Sequence, residues 1–323
     1  MRTSLLPKHM AAVFAVLVML ASCTSFFSSD KKPKLSKDEQ DKINEYKAEV
    51  ELGRNMAGRL LHYYGVFEDE ELLNYLNTVS DYVASYGDYP DRKYMVNILD
   101  SESVNAFACP GGYILITVGT LRLATNESEL AMVLGHEIAH VGKKHMFNTL
   151  RGMNEKERDA AAKNVDAKGA SKELESSAVR KREIAESNQT SALVARYLSG
   201  STGIGLSLLQ AAKAGMSLIL EKGLDKQLEF EADSEGVRYA IRAGYDPHGL
   251  LKFLARLEEA KKKQKALDLN ILDKTHPKIK DRKTNIEAVL DKMNATAMAG
   301  ALGEQRFKKA LAKLQATEVK KTK

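Results

Sequence analysis

Leu130 to Met146 reads LAMVLGHEIAHVGKKHM, and the spacing inside this stretch restricts the chain more than any other feature. A helix turns once in about 3.6 residues, so His136 and His140, four apart, stand on one face with ring nitrogens able to grip one ion. Glu137 then projects close enough to that ion to take a proton from water. H-E-x-x-H on a helix therefore predicts a zinc site with Glu137 as general base, the arrangement of zinc peptidases. The flanking residues predict the helix on their own account. Asn126 and Glu129 form a capping-box pattern, and Leu130, Val133, Leu134, Ile138 and Val141 recur at helical spacing. Lys143, Lys144 and His145 suit the negative end of the helix dipole, which assigns His145 to that end rather than to the metal.

Two histidines leave a zinc site short of ligands. Leu224 to Ala243 has helical periodicity and stops at Gly244, and it carries Glu229 and Asp233 four apart on one face. A carboxylate from this second helix completes a His, His, Glu set and leaves one position for water, as catalytic zinc requires. Asp233 is then placed to bond the second ring nitrogen of a ligand histidine. Glu231 points about 200 degrees around the helix from Glu229, outside the metal shell.

Few strand-like runs separate long charged and alanine-rich stretches, which predicts a mainly α (α+β) fold with a small sheet. Residues 38 to 64 and 68 to 86 read as two helices. Arg92 to Leu99 and Tyr113 to Val118 read as strands, with Asn105-Ala106-Phe107 and the turn Pro110-Gly111-Gly112 between them. Such a sheet either supports the zinc helix or offers an edge to which an extended peptide adds by backbone hydrogen bonds; the residues leave both open. Cys109 reads as a small buried apolar residue.

The net charge of +6 is unevenly placed: the first 22 residues contribute +2 and residues 304 to 323 contribute +5, leaving the body near −1. A basic nucleic-acid binder is therefore excluded, and no nucleic-acid motif appears. Residues 1 to 22 have the form of an export signal, with Arg2 and Lys8 before an apolar run too short to span a bilayer. That run ends in Leu20-Ala21-Ser22-Cys23, which resembles the bacterial lipobox and makes Cys23 the expected lipidation site. Thr24 in place of aspartate leans towards the outer membrane. Residues 23 to 37 form a polar tether, 38 to 290 the metallopeptidase domain, and 291 to 323 a basic helical tail. Within the domain, residues 151 to 190 form a charged insertion that reads equally as an exposed helix, a lid or a segment ordered by a partner.

Five motifs in order, G-H-E-I-A-H from Gly135, E-F-E-A-D from Glu229, N-A-F with P-G-G-Y from Asn105, A-G-Y-D-P from Ala243, and T-H-P with Arg282, give the chain a family resemblance over residues 40 to 290. It resembles the gluzincin metallopeptidases that include the HtpX heat-shock protease, the type 1 CAAX prenyl protease and the mitochondrial Oma protease. Lacking membrane-spanning helices, it looks more like their periplasmic lipoprotein branch. The resemblance implies a zincin-like core with one zinc ion held by His136, His140 and Glu229, Glu137 as base and Asp233 behind a ligand. It further implies substrate binding along Asn105, Ala106 and Phe107, and steadying of the tetrahedral intermediate by His276 and Arg282. The expected function is a lipid-anchored envelope endopeptidase acting on unfolded or misassembled proteins. Its competitors are a chaperone-like assembly factor with latent protease activity and an amidase acting on cell-wall peptides.

Overall fold

The computed structural model describes residues 35–153, 208–262 and 274–314, with isolated positions between 156 and 198. The leader, Cys23, the tether as far as residue 34 and nearly all of the 151 to 190 insertion lie outside the described residues. Two compact units divide the chain, Met1–Ile43 and Asn44–Lys323. In the first, Ser36 and Glu39 cap the start of a helix reciprocally: Glu39 N donates to Ser36 Oγ at 3.2 Å, and the Glu39 carboxylate accepts from Ser36 N at 2.8 Å.

That helix, α1 (Lys37–Tyr64), presents Leu52, Met56 and Leu60 at helical spacing, all fully buried. Helix α2 (Glu70–Ala84) starts at Asp69, whose carboxylate accepts from Leu72 N, and buries Leu72, Leu76, Val79 and Val83. Three short strands follow, β1 (Met95–Leu99), β2 (Ala106–Cys109) and β3 (Tyr113–Thr117). Their order is β1-β3-β2, with β1 parallel and β2 antiparallel to β3, so β2 is an edge. The turn from β2 to β3 needs a left-handed backbone at Gly111 and Gly112, with φ of 77° and 110°, which side-chain-bearing residues rarely adopt.

Alternation along the strands lets the sheet divide two apolar cores. Ile114 and Ile116 join Val96 and Ile98 on one side, facing the larger cluster. Leu115, Phe107 and Cys109 face the other side, with Leu52, Met56 and Leu60 of α1. After the short α3 (Val118–Leu123) comes α4 (Glu127–Gly142), which carries H-E-x-x-H and is buried along its whole length. Its start matches the sequence expectation: Asn126 Oδ1 accepts from Glu129 N at 3.0 Å, and the Glu129 carboxylate accepts from Thr125 N.

Helices α5 (His145–Gly152) and α6 (Leu208–Ser217) complete the smaller core with Phe147, Leu150, Ala211 and Ala214. Helices α7 (Lys226–Arg242), α8 (Gly249–Lys262) and α9 (Ile279–Lys292) build the larger core around α4. Helix α10 (Glu304–Ala310) closes it. The segment after Asn294, expected as a basic tail, is part of this core as far as residue 314: Phe307, Leu311 and Leu314 are buried in it, because its apolar residues share one helix face. The described residues are mainly helical with one small sheet beside the H-E-x-x-H helix, the zincin-like arrangement. Among the described residues no helix is long and apolar enough to cross a membrane.

Candidate functional site

Helix α4 sets His136 and His140 one turn apart, and their Nε2 atoms approach to 3.0 Å. Helix α7 packs directly across α4 and brings Glu229 over the pair. Glu229 Oε2 lies 3.6 Å from His136 Nε2, and Oε1 lies 3.5 Å from His140 Nε2. The crossing is this close because both helices carry glycine where they touch. A Cβ on Gly135 would sit 2.7 Å from Gly236 O, and one on Gly236 would sit 2.5 Å from His136 N.

The ligand atoms of His136, His140 and Glu229 all fall within 4.8 Å of one another, and all three residues are buried. Two imidazole nitrogens and one carboxylate oxygen form a donor set suited to zinc. Glu229 Oε2 is buried with no hydrogen-bond partner among the described residues, which is costly for a carboxylate unless a cation neutralises it. The residues therefore fit the metal that the sequence implied. Burial, reinforced by the neighbouring imidazoles of His136, His145 and His276, holds His140 well below its ordinary pKa and thus neutral, as a ligand must be. Burial likewise pushes the Glu229 carboxyl up to about 7.

Asp233 sits one turn after Glu229 and meets His136 Nδ1 at 2.9 Å, leaving Nε2 to face the ion. Burial alone would raise Asp233. The Arg282 charge and the bonds from His136 and Arg282 outweigh it and hold the carboxyl well below the usual range. Arg282, itself buried, grips Asp233 with both arms: Nε donates to Oδ2 at 2.9 Å and Nη2 to Oδ1 at 2.6 Å. Sequence reasoning assigned Arg282 only an intermediate-stabilising role through the family resemblance; the structure shows it forked on Asp233, and through Asp233 joined to His136.

Glu137 faces a cleft lined by Asn105, Ala106, His136, His276 and Arg282, with Phe253 and Leu254 of α8 on its apolar wall. Burial raises the Glu137 carboxyl, the direction that suits a general base. His276 Nε2 lies 3.5 Å from Glu229 Oε2, so this histidine stands beside the ligand cluster. Asn105 is buried, and its Nδ2 has no partner among the described residues, which leaves a donor at the cleft. Phe107 is placed differently. Its ring stacks on Tyr64 with centroids 5.9 Å apart in the smaller core, so its backbone but not its side chain belongs to the β2 edge. Cys109 is fully buried, and burial pushes its thiol up, which makes it a core residue.

Two features escaped the sequence reading. Gly236 lies inside a helix, where glycine is unfavourable, and that anomaly was a usable signal of close packing. His145, read as a partner of the helix dipole, and Glu231, left outside the metal shell, touch each other, and His145 also touches His140.

A sequence model of Peptidase family M48 matches residues 71–290. The beta-barrel assembly-enhancing protease of Escherichia coli (strain K12) is 26% identical over 212 residues, covering 65% of this chain and 37% of that protein. The putative beta-barrel assembly-enhancing protease of Vibrio cholerae is 26% identical over 226 residues, covering 68% of this chain and 39% of that protein. The mitochondrial metalloendopeptidase OMA1 of Bos taurus is 36% identical over 52 residues, 16% of this chain and 10% of that protein. The chain thus spans well under half the length of these curated relatives.

Proposed function

Because the chain belongs to peptidase family M48, and is by that membership a metallopeptidase, we propose that it is a zinc-dependent endopeptidase of a bacterial cell envelope, tethered to the membrane by lipid on Cys23 and acting on misfolded or misassembled proteins. The observation that carries this reading is the convergence of His136, His140 and Glu229, with Glu137 at the adjoining cleft. The lipobox pattern ending at Cys23 and the names of the relatives support the envelope and its proteins as the setting.

Zinc held by the three ligands would supply the Lewis acidity that activates water and polarises the scissile carbonyl. Glu137 accepts the proton of the attacking water and returns one to the leaving nitrogen. An extended substrate lies along the start of β2, where Asn105 Nδ2 offers a donor and the main chain reads no sequence, as a quality-control enzyme needs. His276 stands where it can bond the oxygen on which charge develops. Arg282 and Asp233 hold His136 in one tautomer throughout.

Protein lacking the leader is expected to cleave a denatured substrate such as casein. Glu137→Gln is expected to lower that activity by at least about 100-fold, the lower end of what general-base catalysis contributes, while binding the same amount of zinc. Equal activity in the two proteins would refute the assignment.

The nearness of His276 to Glu229 favours a second reading, a latent protease that assists assembly, in which this imidazole occupies the open metal position. His276→Ala separates the two. Activity that rises marks latency, and activity that falls marks a role at the oxyanion.

A further inference from the structure

The two ligand histidines are not held alike. His136 has Asp233 at its second nitrogen, whereas His140 turns its Nδ1 to another imidazole, His145 Nδ1, at 2.9 Å. His145 in turn has its Nε2 3.3 Å from Glu231 Oε2. The rings of His140 and His145 meet edge-on, with centroids 5.0 Å apart and an interplanar angle of 80°.

The proton pattern of this chain follows from its chemistry. A His140 that offers Nε2 to a metal carries its proton on Nδ1, and that proton can only be donated. His145 Nδ1 then accepts, which places the His145 proton on Nε2, where Glu231 accepts it. Each nitrogen has one role, and no proton is left over. His145 is 3% exposed while Glu231 is partly open to solvent, so the line runs from the ligand to the surface.

The backbone is bent to make this contact. Helix α4 ends at Gly142 and α5 begins at His145, and between them Lys144 adopts φ 58° and ψ 32°, left-handed geometry in a residue with a side chain. Such a conformation persists only where surrounding contacts hold it. Here Lys144 Nζ pairs at 2.5 Å with Glu49, which is buried on α1 and also bound by Arg92 at 2.9 Å. A helix continuing without this break would carry His145, five residues after His140, about 140 degrees further around its axis and away from that ring. Strain and ring contact are separate observations, and both lead to the same residue.

We propose that His145 is a positioning residue for the ligand His140, with Glu231 fixing the His145 tautomer and the Lys144 turn delivering its ring. The inference rests on the metal reading of the site. It adds to that reading a second outer partner, contributed by the first residue of α5 and backed by Glu231 of α7.

The test is the zinc dissociation constant of leaderless protein, measured by competition with a chromogenic chelator, for wild type, His145→Ala, His145→Asn and Glu231→Gln. Thermal unfolding of each metal-free protein is measured alongside. Losing the outer partner of a ligand histidine weakens metal binding by about 10–100-fold, and that is the expectation for His145→Ala. Asparagine puts an amide atom where Nδ1 stood, so His145→Asn is expected to recover most of the loss even if its metal-free stability is as low as that of the alanine variant. Glu231→Gln still offers an acceptor and is expected to lie within a few-fold of wild type. A residue that merely fills space would shift unfolding in both His145 variants and leave zinc affinity unchanged. Alanine binding zinc like wild type, or asparagine as weak as alanine, overturns the proposal. A wild-type protein without tight zinc binding would instead overturn the metal site itself.

Discussion

A Cβ placed on Gly236 would lie 2.5 Å from the backbone nitrogen of His136, so the helix that supplies the acid touches the helix that supplies the histidines with no side chain between them. This approach sets the span from Glu229 to the two imidazoles. Alanine in place of a mid-helix glycine ordinarily stabilises a helix by about 1 kcal/mol. Gly236→Ala must instead push the helices apart, and overpacking of this kind costs about 1–3 kcal/mol. Gly58, on the exposed face of α1, is the control: a Cβ there would meet nothing within 4 Å, and Gly58→Ala is expected to gain about 0.5–1 kcal/mol. Urea midpoints of opposite sign for the two changes, with weakened zinc binding only in Gly236→Ala, are the expected result.

Glu229 is the ligand on which the cluster depends, because of the three ligands it alone is anionic. Glu229→Gln keeps the size and removes the charge. Zinc affinity is expected to fall by more than about 100-fold, since losing only the outer partner of a ligand costs about 10–100-fold. Glu137→Gln, one residue from His136 but not part of the cluster, is expected to retain the metal. Metal content after gel filtration of both variants distinguishes a ligand from a base.

Acid sensitivity has a source away from the metal. Asp246 is buried, and burial works to raise its carboxyl, but bonds from Lys252 Nζ at 2.5 Å and from His248 N and Nδ1 at 3.2 Å outweigh this and lower it. A carboxyl with a depressed folded pKa contributes stability that is complete above its unfolded value of about 3.9 and is lost as pH falls through the folded value. Asp246→Asn is therefore expected to cost about 1 kcal/mol at pH 7. The gap should persist at pH 5 and close below about pH 4. Denaturant midpoints at three pH values read this directly, and a gap that widens on acidification contradicts it.

How much of the site the sequence disclosed depended on whether the informative spacing was local. His136, Glu137 and His140 were legible because one helical turn fixes their relation, and Glu229 and Asp233 because theirs is fixed in the same way. The pairing of the two helices was not encoded in either period; it came from the ligand that zinc still lacked and from motif order, and its physical cause, glycine against glycine at Gly135 and Gly236, needs both helices in view. What His145 touches was hidden for a similar reason. Its contact with His140 needs the left-handed turn at Lys144, which a regular helical projection does not contain. Arg282 and Asp233 are 49 residues apart in the chain, so no local pattern marks their fork. Strands β1 and β3 were placed to within a few residues, while β2 was left as a stretch between them; the sheet order β1-β3-β2, which makes β2 an edge, is a matter of tertiary topology.

The segment beyond Asn294 was the least legible, since lysines surround its few apolar residues. It crosses the start of α4: Leu302 O accepts from Ser128 N at 3.1 Å, and Arg306 grips the buried Glu127 with both arms, at 3.1 and 2.6 Å. Glu127 also accepts from Tyr75 at 2.9 Å and from Tyr245 at 3.0 Å. Two effects compete to explain what fastens this segment. Arg306 is 68% exposed, so water screens its pair and Arg306→Ala is expected to cost only about 1 kcal/mol, with both tyrosines still bonded to Glu127. Phe307 is 1% exposed, and truncating a buried phenylalanine costs about 3–5 kcal/mol. Burial should therefore outweigh the ion pair. Phe307→Ala is expected to lower the urea midpoint several times more than Arg306→Ala, and raising the salt concentration should shrink only the arginine effect. The reverse ranking would mean that charge, and not apolar contact, holds the segment on the helix that carries the metal ligands.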